Sequence, residues 1–251
     1  MASILARAKA MLFGVRPSAG HQIPSEFHRA LDLHRAKLGM LNILQIGAND
    51  GVINDPLYEF VAAHPDRTRI ILVEPQAALI APLSRAYAFH PEKRIFQGAI
   101  SGQDRLTLYG VRPDCWSDLE VPYAKGWPPY RAPTGIASVR RDMVANWVER
   151  HYRGPLAADD VIERQEVEGL DVPALLQRVD LFSRLDVLVV DAEGWDDEVI
   201  YLSDIEGLRP ALIYLEVCHL DPPRLNALTQ HLDRAGYVIR RIGDNALAER
   251  R

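Results

Sequence analysis

Four carboxylates and one histidine follow two apolar segments in the second half of the chain. The segments are residues 186–190 and 211–215, and the polar residues are Asp191, Glu193, Asp196, Glu216 and His219. Histidine accepts a proton near neutral pH, and a neighbouring carboxylate can orient its ring. These residue types therefore indicate a general base. His219 is the first candidate for that base, and Asp191 or Glu193 is the second.

The same donors also admit a metal ion. Carboxylate oxygens and an imidazole could bind Mg²⁺, and the candidate ligands are Asp191, Glu193, Glu216 and His219. Acid-rich ends of strands are common in proteins that bind no metal. A divalent metal is therefore an alternative that we do not favour, and we assign no metal ligands from the sequence.

A glycine turn in the first half of the chain predicts a binding site for a nucleoside. Asn42–Ile46 is an apolar run with the length of a buried parallel strand, and it breaks at small residues, namely Gly47, Ala48, Asn49 and Gly51. A second apolar run, Ile70–Val73, ends at Glu74, 23 residues after Gly51. In a βαβ unit an acid at this position accepts hydrogen bonds from ribose hydroxyls.

Two common nucleotide-binding patterns do not match this turn. A dinucleotide fingerprint needs three glycines, but Asn49 and Val52 stand at the second and third glycine positions. A phosphate loop needs Gly-Lys-Ser/Thr, which is missing after the turn. The turn thus favours a nucleoside that has no pyrophosphate.

Strands that alternate with helices predict an α/β fold with a mainly parallel sheet. Tyr237–Ile242 and Ala246–Glu249 flank the turn residues 243–245, which adds a C-terminal antiparallel hairpin. Residues 104–180 interrupt the alternation, so we predict that they form an insertion that shapes the substrate site. Its aromatic residues suggest a lid over a carbon-rich acceptor; they are Trp116, Tyr123, Trp127 and Tyr130.

Length and composition limit the protein class. A chain of 251 residues, 48% hydrophobic, suits one α/β domain over residues 41–251, with a helical extension over residues 1–40. Met1–Gly14 is expected to be a short helix, because its apolar stretch contains charges and no cleavage site follows. The two cysteines are expected to be free thiols, and no run is long enough to span a bilayer. We therefore predict a cytoplasmic protein without stable membrane insertion.

An ordered set of short motifs resembles the FkbM family of class I S-adenosylmethionine-dependent methyltransferases. The motifs are I-G-A-N-D-G at 46–51, D-P-L at 55–57, V-E-P-Q at 73–76, A-I-S at 99–101, G-I-A-S-V at 135–139, D-A-E-G-W-D at 191–196, L-E-V-C-H-L at 215–220 and G-D-N-A-L-A at 243–248. The resemblance implies a Rossmann-like, seven-stranded fold with the insertion before the fourth core strand. It also implies methyl transfer from S-adenosylmethionine to a hydroxyl of a saccharide or secondary metabolite, with S-adenosylhomocysteine as product.

The resemblance extends the predicted site. It implies cofactor contacts by Pro75, Ala99 and Ile100 beside the glycine turn and Glu74. It implies acceptor contacts by four further residues, which are Ser138, Trp195, Asp196 and Glu216. Gln45 stands where this fold often has an acid, so we expect it to contribute one hydrogen bond and Asp191 to take over the contact with the methionine ammonium.

Several alternatives stay open at this level. The same pocket could serve aminopropyl transfer, or the chain could be a non-catalytic protein that binds an adenosyl ligand or a partner. Residues 127–130, W-P-P-Y, resemble the Asn/Asp-Pro-Pro-Tyr motif of methyltransferases that act on nucleic-acid amines. Trp127 replaces the polar residue of that motif, and a net charge of −5 disfavours a nucleic-acid partner. A homo-oligomer is compatible with the apolar N-terminus.

Overall fold

A computed structural model describes residues 25–251. The predicted helix in Met1–Gly14 and most of the predicted extension lie outside these residues. The ten strands are β1 (Leu41–Ile46), β2 (Thr68–Glu74), β3 (Lys93–Gln97), β4 (Ala99–Ile100), β5 (Arg105–Val111), β6 (Ile162–Leu170), β7 (Val187–Val190), β8 (Leu212–Glu216), β9 (Tyr237–Ile242) and β10 (Asn245–Arg250) within the described range.

The helices of the described part are α1 (Ser25–Leu38), α2 (Tyr58–Ala63), α3 (Ala77–Ala86), α4 (Arg131–Gly135), α5 (Arg141–His151), α6 (Ala158–Val161), α7 (Val172–Val179), α8 (Asp196–Tyr201), α9 (Ile205–Leu208) and α10 (Pro222–Arg234). None of them is long and apolar enough to cross a membrane.

The main sheet has seven strands in the order β3-β2-β1-β7-β8-β10-β9. The first five strands in that order are parallel, and β10 pairs antiparallel with both β8 and β9. This confirms the predicted α/β class, the seven-stranded sheet and the C-terminal hairpin. β1 lies between β2 and β7, so the carboxyl ends of these three strands meet at the centre of one edge of the sheet.

Two apolar layers cover the sheet because side chains of a buried strand alternate between its faces. In β1, Leu44 and Ile46 pack into one layer and Leu41 and Ile43 into the other. The first layer includes residues of α7, α8 and α10, and the second includes residues of α1, α2 and α3. The site at the end of β1 is therefore built on strands that are held from both sides.

Residues 105–170 lie outside the main sheet. Their strands join β4 in a second sheet of order β4-β6-β5, and α5 packs beside it around the buried Trp147. The chain leaves the main sheet after Gln97, and the short strand Ala99–Ile100 then pairs with β6 in the second sheet. The helix α7 falls within the predicted insertion but packs on the main sheet.

Candidate active site

The glycine turn after β1 approaches the end of β7 closely. Gly47 has φ +78°, and a Cβ atom there would lie 1.7 Å from the carbonyl oxygen of Asp191. Gly51 has φ +71°, and its Cβ would lie 2.5 Å from Leu83 Cδ1. Asn49 also takes a left-handed conformation, with φ 48°. The turn thus requires glycine at two positions for both its backbone conformation and its space.

Glu74 closes β2 beside this turn, and its side chain is buried. One oxygen, Oε2, accepts a hydrogen bond from the Asn49 backbone N–H at 2.8 Å. The other, Oε1, accepts from the backbone N–H and the side-chain amide of Gln76, at 2.8 and 3.1 Å. A carboxylate offers about four acceptor sites, so Oε2 keeps one for a further donor such as a ribose hydroxyl. Burial raises the pKa of Glu74 to about 7 despite these hydrogen bonds.

A cleft of about 670 Å³, including its open mouth, runs from the glycine turn past Glu74 to the end of β7. Most of the predicted cofactor residues line it: Gly47, Asn49, Glu74, Pro75, Ala99, Ile100 and Asp191. The predicted residues Glu193, Ser138 and Trp195 line it as well. We call this space the cofactor cleft.

Three predicted cofactor residues lie behind the surface of the cofactor cleft. Ala48 and Gly51 are buried in the turn, and Gln45 is buried within β1. The Gln45 amide donates to Asp55 Oδ2 at 2.6 Å, and Asp55 Oδ1 accepts from the first backbone N–H groups of α2. Gln45 therefore links β1 to the start of α2. The sequence suggested a contact with the cofactor instead, but the Gln45 side chain does not line the cofactor cleft.

The short helix α4 covers the turn, and sequence reasoning missed it. The Thr134 carbonyl accepts from the side chains of Asn49 and Gln76, at 3.2 and 2.9 Å. Arg131 donates to the Ile53 carbonyl at 2.9 Å, and Tyr130 Oη donates to Asp50 at 3.2 Å. The motif at 135–139 marked this region, but no periodic pattern in residues 112–135 indicated a helix.

A second, larger cleft adjoins the first and encloses about 2020 Å³, including open solvent. We call it the acceptor cleft. Arg131, Gly135, Asp191 and Glu193 line both clefts, so these residues form the junction between them. The acceptor cleft has aromatic walls made by Tyr123, Trp127, Trp147 and Tyr214. Two residues of the predicted lid, Tyr123 and Trp127, line this wall, whereas Trp116 packs against the core of the insertion and Tyr130 donates to Asp50.

The junction brings together the acids and the histidine that the sequence singled out. His219 Nε2 lies 3.4 Å from Glu193 Oε2 and 3.4 Å from Glu216 Oε2. Desolvation by the surrounding protein raises the pKa of Asp191 and Glu193, although Asp191 is accessible through the clefts. Desolvation and the charge of Asp191 raise the pKa of Glu216 to about 9. Ionised carboxylates repel one another strongly in surroundings of low dielectric constant. A bound proton, or another cation, would therefore stabilise this group of side chains.

Asp196 and Ser138 brace the loop that carries Glu193. Asp196 is fully buried and accepts from the backbone N–H groups of Ala192 and Gly194, at 2.9 and 3.0 Å. Burial and the charge of Asp191 raise its pKa to about 7. Ser138 Oγ donates to the Glu193 carbonyl at 2.8 Å. The structure places both side chains behind the junction, outside the lining of the acceptor cleft where the sequence predicted acceptor contacts.

A further ion pair fixes the same loop from the outside. The Arg224 guanidinium contacts both oxygens of Asp197, whose side chain is 3% exposed, with one N···O distance of 3.0 Å. It also donates to the Gly194 carbonyl at 2.9 Å. Glu193 itself has φ 47°, a conformation that is uncommon for a residue with a side chain. The loop geometry is thus maintained by contacts on both of its sides.

Comparison with known proteins gives one family match. The model of the methyltransferase FkbM domain matches residues 45–239. A search among curated proteins found no match. Two solved structures are similar to the chain at low identity. Precorrin-6y C5,15-methyltransferase from Geobacter metallireducens GS-15 has 10% identity and a TM-score of 0.45, with 95% of each chain covered. A TehB-like SAM-dependent methyltransferase from Corynebacterium glutamicum ATCC 13032 Kitasato has 11% identity and a TM-score of 0.38, with 99% of this chain and 95% of that chain covered.

Proposed function

The chain belongs to the FkbM methyltransferase family, and we propose that it methylates a hydroxyl group of a saccharide or secondary metabolite with S-adenosylmethionine as donor. The observation that supports this proposal is the junction of the two clefts. Asp191 and Glu193 line both of them, and His219 lies beside Glu193 within the acceptor cleft. A donor in one cleft and an acceptor in the other would meet at proton-accepting groups.

The cofactor cleft fits S-adenosylmethionine. Glu74 Oε2 keeps an acceptor site for a ribose hydroxyl, and the indole N–H of Trp195 in the cleft wall is buried without a hydrogen-bond partner. Glu74 and the glycine turn would hold the nucleoside, and Asp191 would face the methionine ammonium. When bound, the cofactor supplies a methyl group on a positively charged sulfur.

The residues of the junction would prepare the acceptor. Alignment of acceptor and donor supplies a large part of the rate enhancement in such transfers, and α4 with Arg131 bounds both clefts. A hydroxyl has a pKa far above 7, so it gains from a group that takes its proton. His219 and Glu193 are the groups in position to accept that proton at Nε2 and Oε2.

The walls of the acceptor cleft support a sugar or another acceptor with flat apolar faces. Tyr123, Trp127 and Trp147 lie on one side and offer ring surfaces, and Trp147 Nε1 donates to Tyr123 Oη at 2.9 Å. The carboxylates that line the same cleft, among them Glu193 and Glu216, could accept hydrogen bonds from several hydroxyls. Cys115 and Cys218 are both free thiols, which fits the proposed location in the reducing cytoplasm.

Transfer of a labelled methyl group tests this proposal. The full chain would be incubated with methyl-labelled S-adenosylmethionine and a panel of monosaccharides, glycosides and hydroxylated metabolites, and the product bond would be identified by NMR. We expect a methyl ether, and we expect Glu193→Gln to slow transfer by about 10²–10⁴-fold while S-adenosylhomocysteine still binds. Label on nitrogen or carbon, or binding without transfer to any hydroxyl, would contradict the proposed acceptor.

A further inference from the structure

The imidazole of His219 lies between two carboxylates that come from different segments. Glu193 belongs to the loop after β7, and Glu216 ends β8. Both approach the same ring nitrogen, Nε2, at 3.4 Å. The Cys218 thiol lies nearby: its Sγ, His219 nitrogen and a Glu216 oxygen are all within 4.8 Å of one another. Nitrogen, oxygen and sulfur donors therefore lie close together at the end of β8, where Glu216 and His219 line the acceptor cleft.

Hydrogen bonds leave one carboxylate oxygen of this group without a partner. Glu216 Oε2 is buried, and it has no hydrogen-bond partner although His219 Nε2 is only 3.4 Å away. A buried carboxylate oxygen without a partner is costly. The nearby carboxylates of Asp191 and Asp196 increase that cost, and Arg131 is the cation that faces Asp191 and Glu193 from α4. The oxygen thus points to a positively charged ligand between it and the imidazole.

The donor atoms and their distances distinguish among metal ions. Two ligands of a tetrahedral zinc ion, each about 2.0–2.2 Å from the metal, are about 3.3–3.5 Å apart. Two adjacent ligands of octahedral Mg²⁺, each about 2.0–2.1 Å away, are only about 2.9 Å apart. Calcium takes oxygen ligands and has little affinity for imidazole or thiol. The mixture of nitrogen, oxygen and sulfur donors favours zinc over these two ions, and the 3.4 Å between His219 Nε2 and Glu216 Oε2 is compatible with two ligands of a tetrahedral ion.

We propose that Glu216, Cys218 and His219 bind a zinc ion at the end of β8, with Glu193 as the candidate fourth ligand. If Glu193 stays outside the first coordination sphere, the fourth position is open to the acceptor cleft, where a hydroxyl could coordinate and become more acidic. His219 is then a metal ligand, and Asp191 is the neighbouring group left to take the hydroxyl proton. This role in methyl transfer rests on the proposed function, whereas metal binding itself does not.

Cobalt(II) is the probe for this site, because tetrahedral cobalt absorbs visible light and zinc is silent. The full chain, freed of metal with a chelator, would be titrated with Co²⁺, and Zn²⁺ would then be added as a competitor. We expect the intense visible bands of tetrahedral cobalt and their loss with one equivalent of Zn²⁺. Mg²⁺ should not displace the cobalt. Absence of the bands, or displacement by Mg²⁺, would overturn the proposal.

Variants assign the ligands. His219→Ala and Glu216→Gln should each weaken Co²⁺ and Zn²⁺ binding by about 10–100-fold or more. His151→Ala is the matched control, because His151 lines the same cleft outside this group, and it should bind as the unmodified chain does. Equal affinity in His219→Ala and His151→Ala would refute the site. A thiolate-to-cobalt band is expected, and its loss in Cys218→Ser would identify Cys218 as a ligand; no activity measurement enters either result.

Discussion

The buried carboxyl of Glu74 should couple both stability and cofactor binding to pH. Its pKa is about 7 in the folded chain, compared with the ordinary value of 4.5. At about 1.4 kcal/mol for each pH unit, the difference corresponds to about 3 kcal/mol. The folded protein keeps this proton at pH values where the unfolded chain has lost it. The free energy of unfolding therefore falls as the pH rises from about 4.5 to about 7, and stays lowered above that range.

Glu74→Gln removes the titration and is the perturbation that tests this reasoning. Urea unfolding at about pH 5 and about pH 8 gives, for each protein, the change in the free energy of unfolding between these pH values. The pH-independent cost of the substitution cancels in that change. We expect the unmodified chain to lose about 2–3 kcal/mol more than Glu74→Gln between these pH values. Equal losses would show that Glu74 is not the group that titrates.

The proton on Glu74 stabilises the fold but should weaken ligand binding. A ribose hydroxyl donates to the ionised carboxylate, so ligand binding competes with protonation of Glu74. Between about pH 8 and about pH 6 the affinity for S-adenosylhomocysteine should fall about tenfold, and Glu74→Gln should lack this dependence. Adenosine is the matched ligand, because it has the ribose but no amino-acid group to meet Asp191. A pH dependence that survives in Glu74→Gln with adenosine would refute the assignment.

Other substitutions test the loop and the turn. Arg224→Ala leaves the buried Asp197 unpaired and should lower the free energy of unfolding by about 3–5 kcal/mol; a urea midpoint close to that of the unmodified chain would contradict the buried pair. Gly47→Ala places a Cβ 1.7 Å from a backbone oxygen, so calorimetry should detect no S-adenosylhomocysteine binding, and retained binding would place the ligand elsewhere. Ser138→Ala removes the hydrogen bond to the Glu193 carbonyl and should cost about 1 kcal/mol of stability. In that variant kcat should fall and ligand affinity should persist, and an unchanged kcat would show that the loop needs no such support.

The sequence predicted the parts of this molecule that local patterns determine. The run Asn42–Ile46, the small residues after it and the strand before Glu74 have the pattern of a parallel βαβ unit. The carboxyl ends of parallel strands meet at one edge of a sheet, and this rule predicts that the acids after the two apolar runs lie close together. These residues do lie together in the structure.

The sequence did not predict contacts between distant segments. The helix α4 has five residues and is held to the turn by Arg131 and Thr134, so its position depends on partners about 80 residues earlier in the chain. The pairing of Gln45 with Asp55 and the burial of Asp196 likewise depend on packing that no residue pattern shows. The separation of 3.4 Å between His219 and two carboxylates depends on how the loop after β7 packs against the end of β8, and the spacing of the residues in the sequence does not determine it.

The structure of the chain with S-adenosylhomocysteine bound is the most direct test of the account. We predict that the ribose hydroxyls contact Glu74 and that the sulfur lies beside Asp191 and Glu193, facing the acceptor cleft. That position would establish that a methyl group arrives where the two clefts meet. A ligand whose sulfur points away from the acceptor cleft, or a cofactor cleft that stays empty at saturating ligand, would contradict the proposed methyltransferase site.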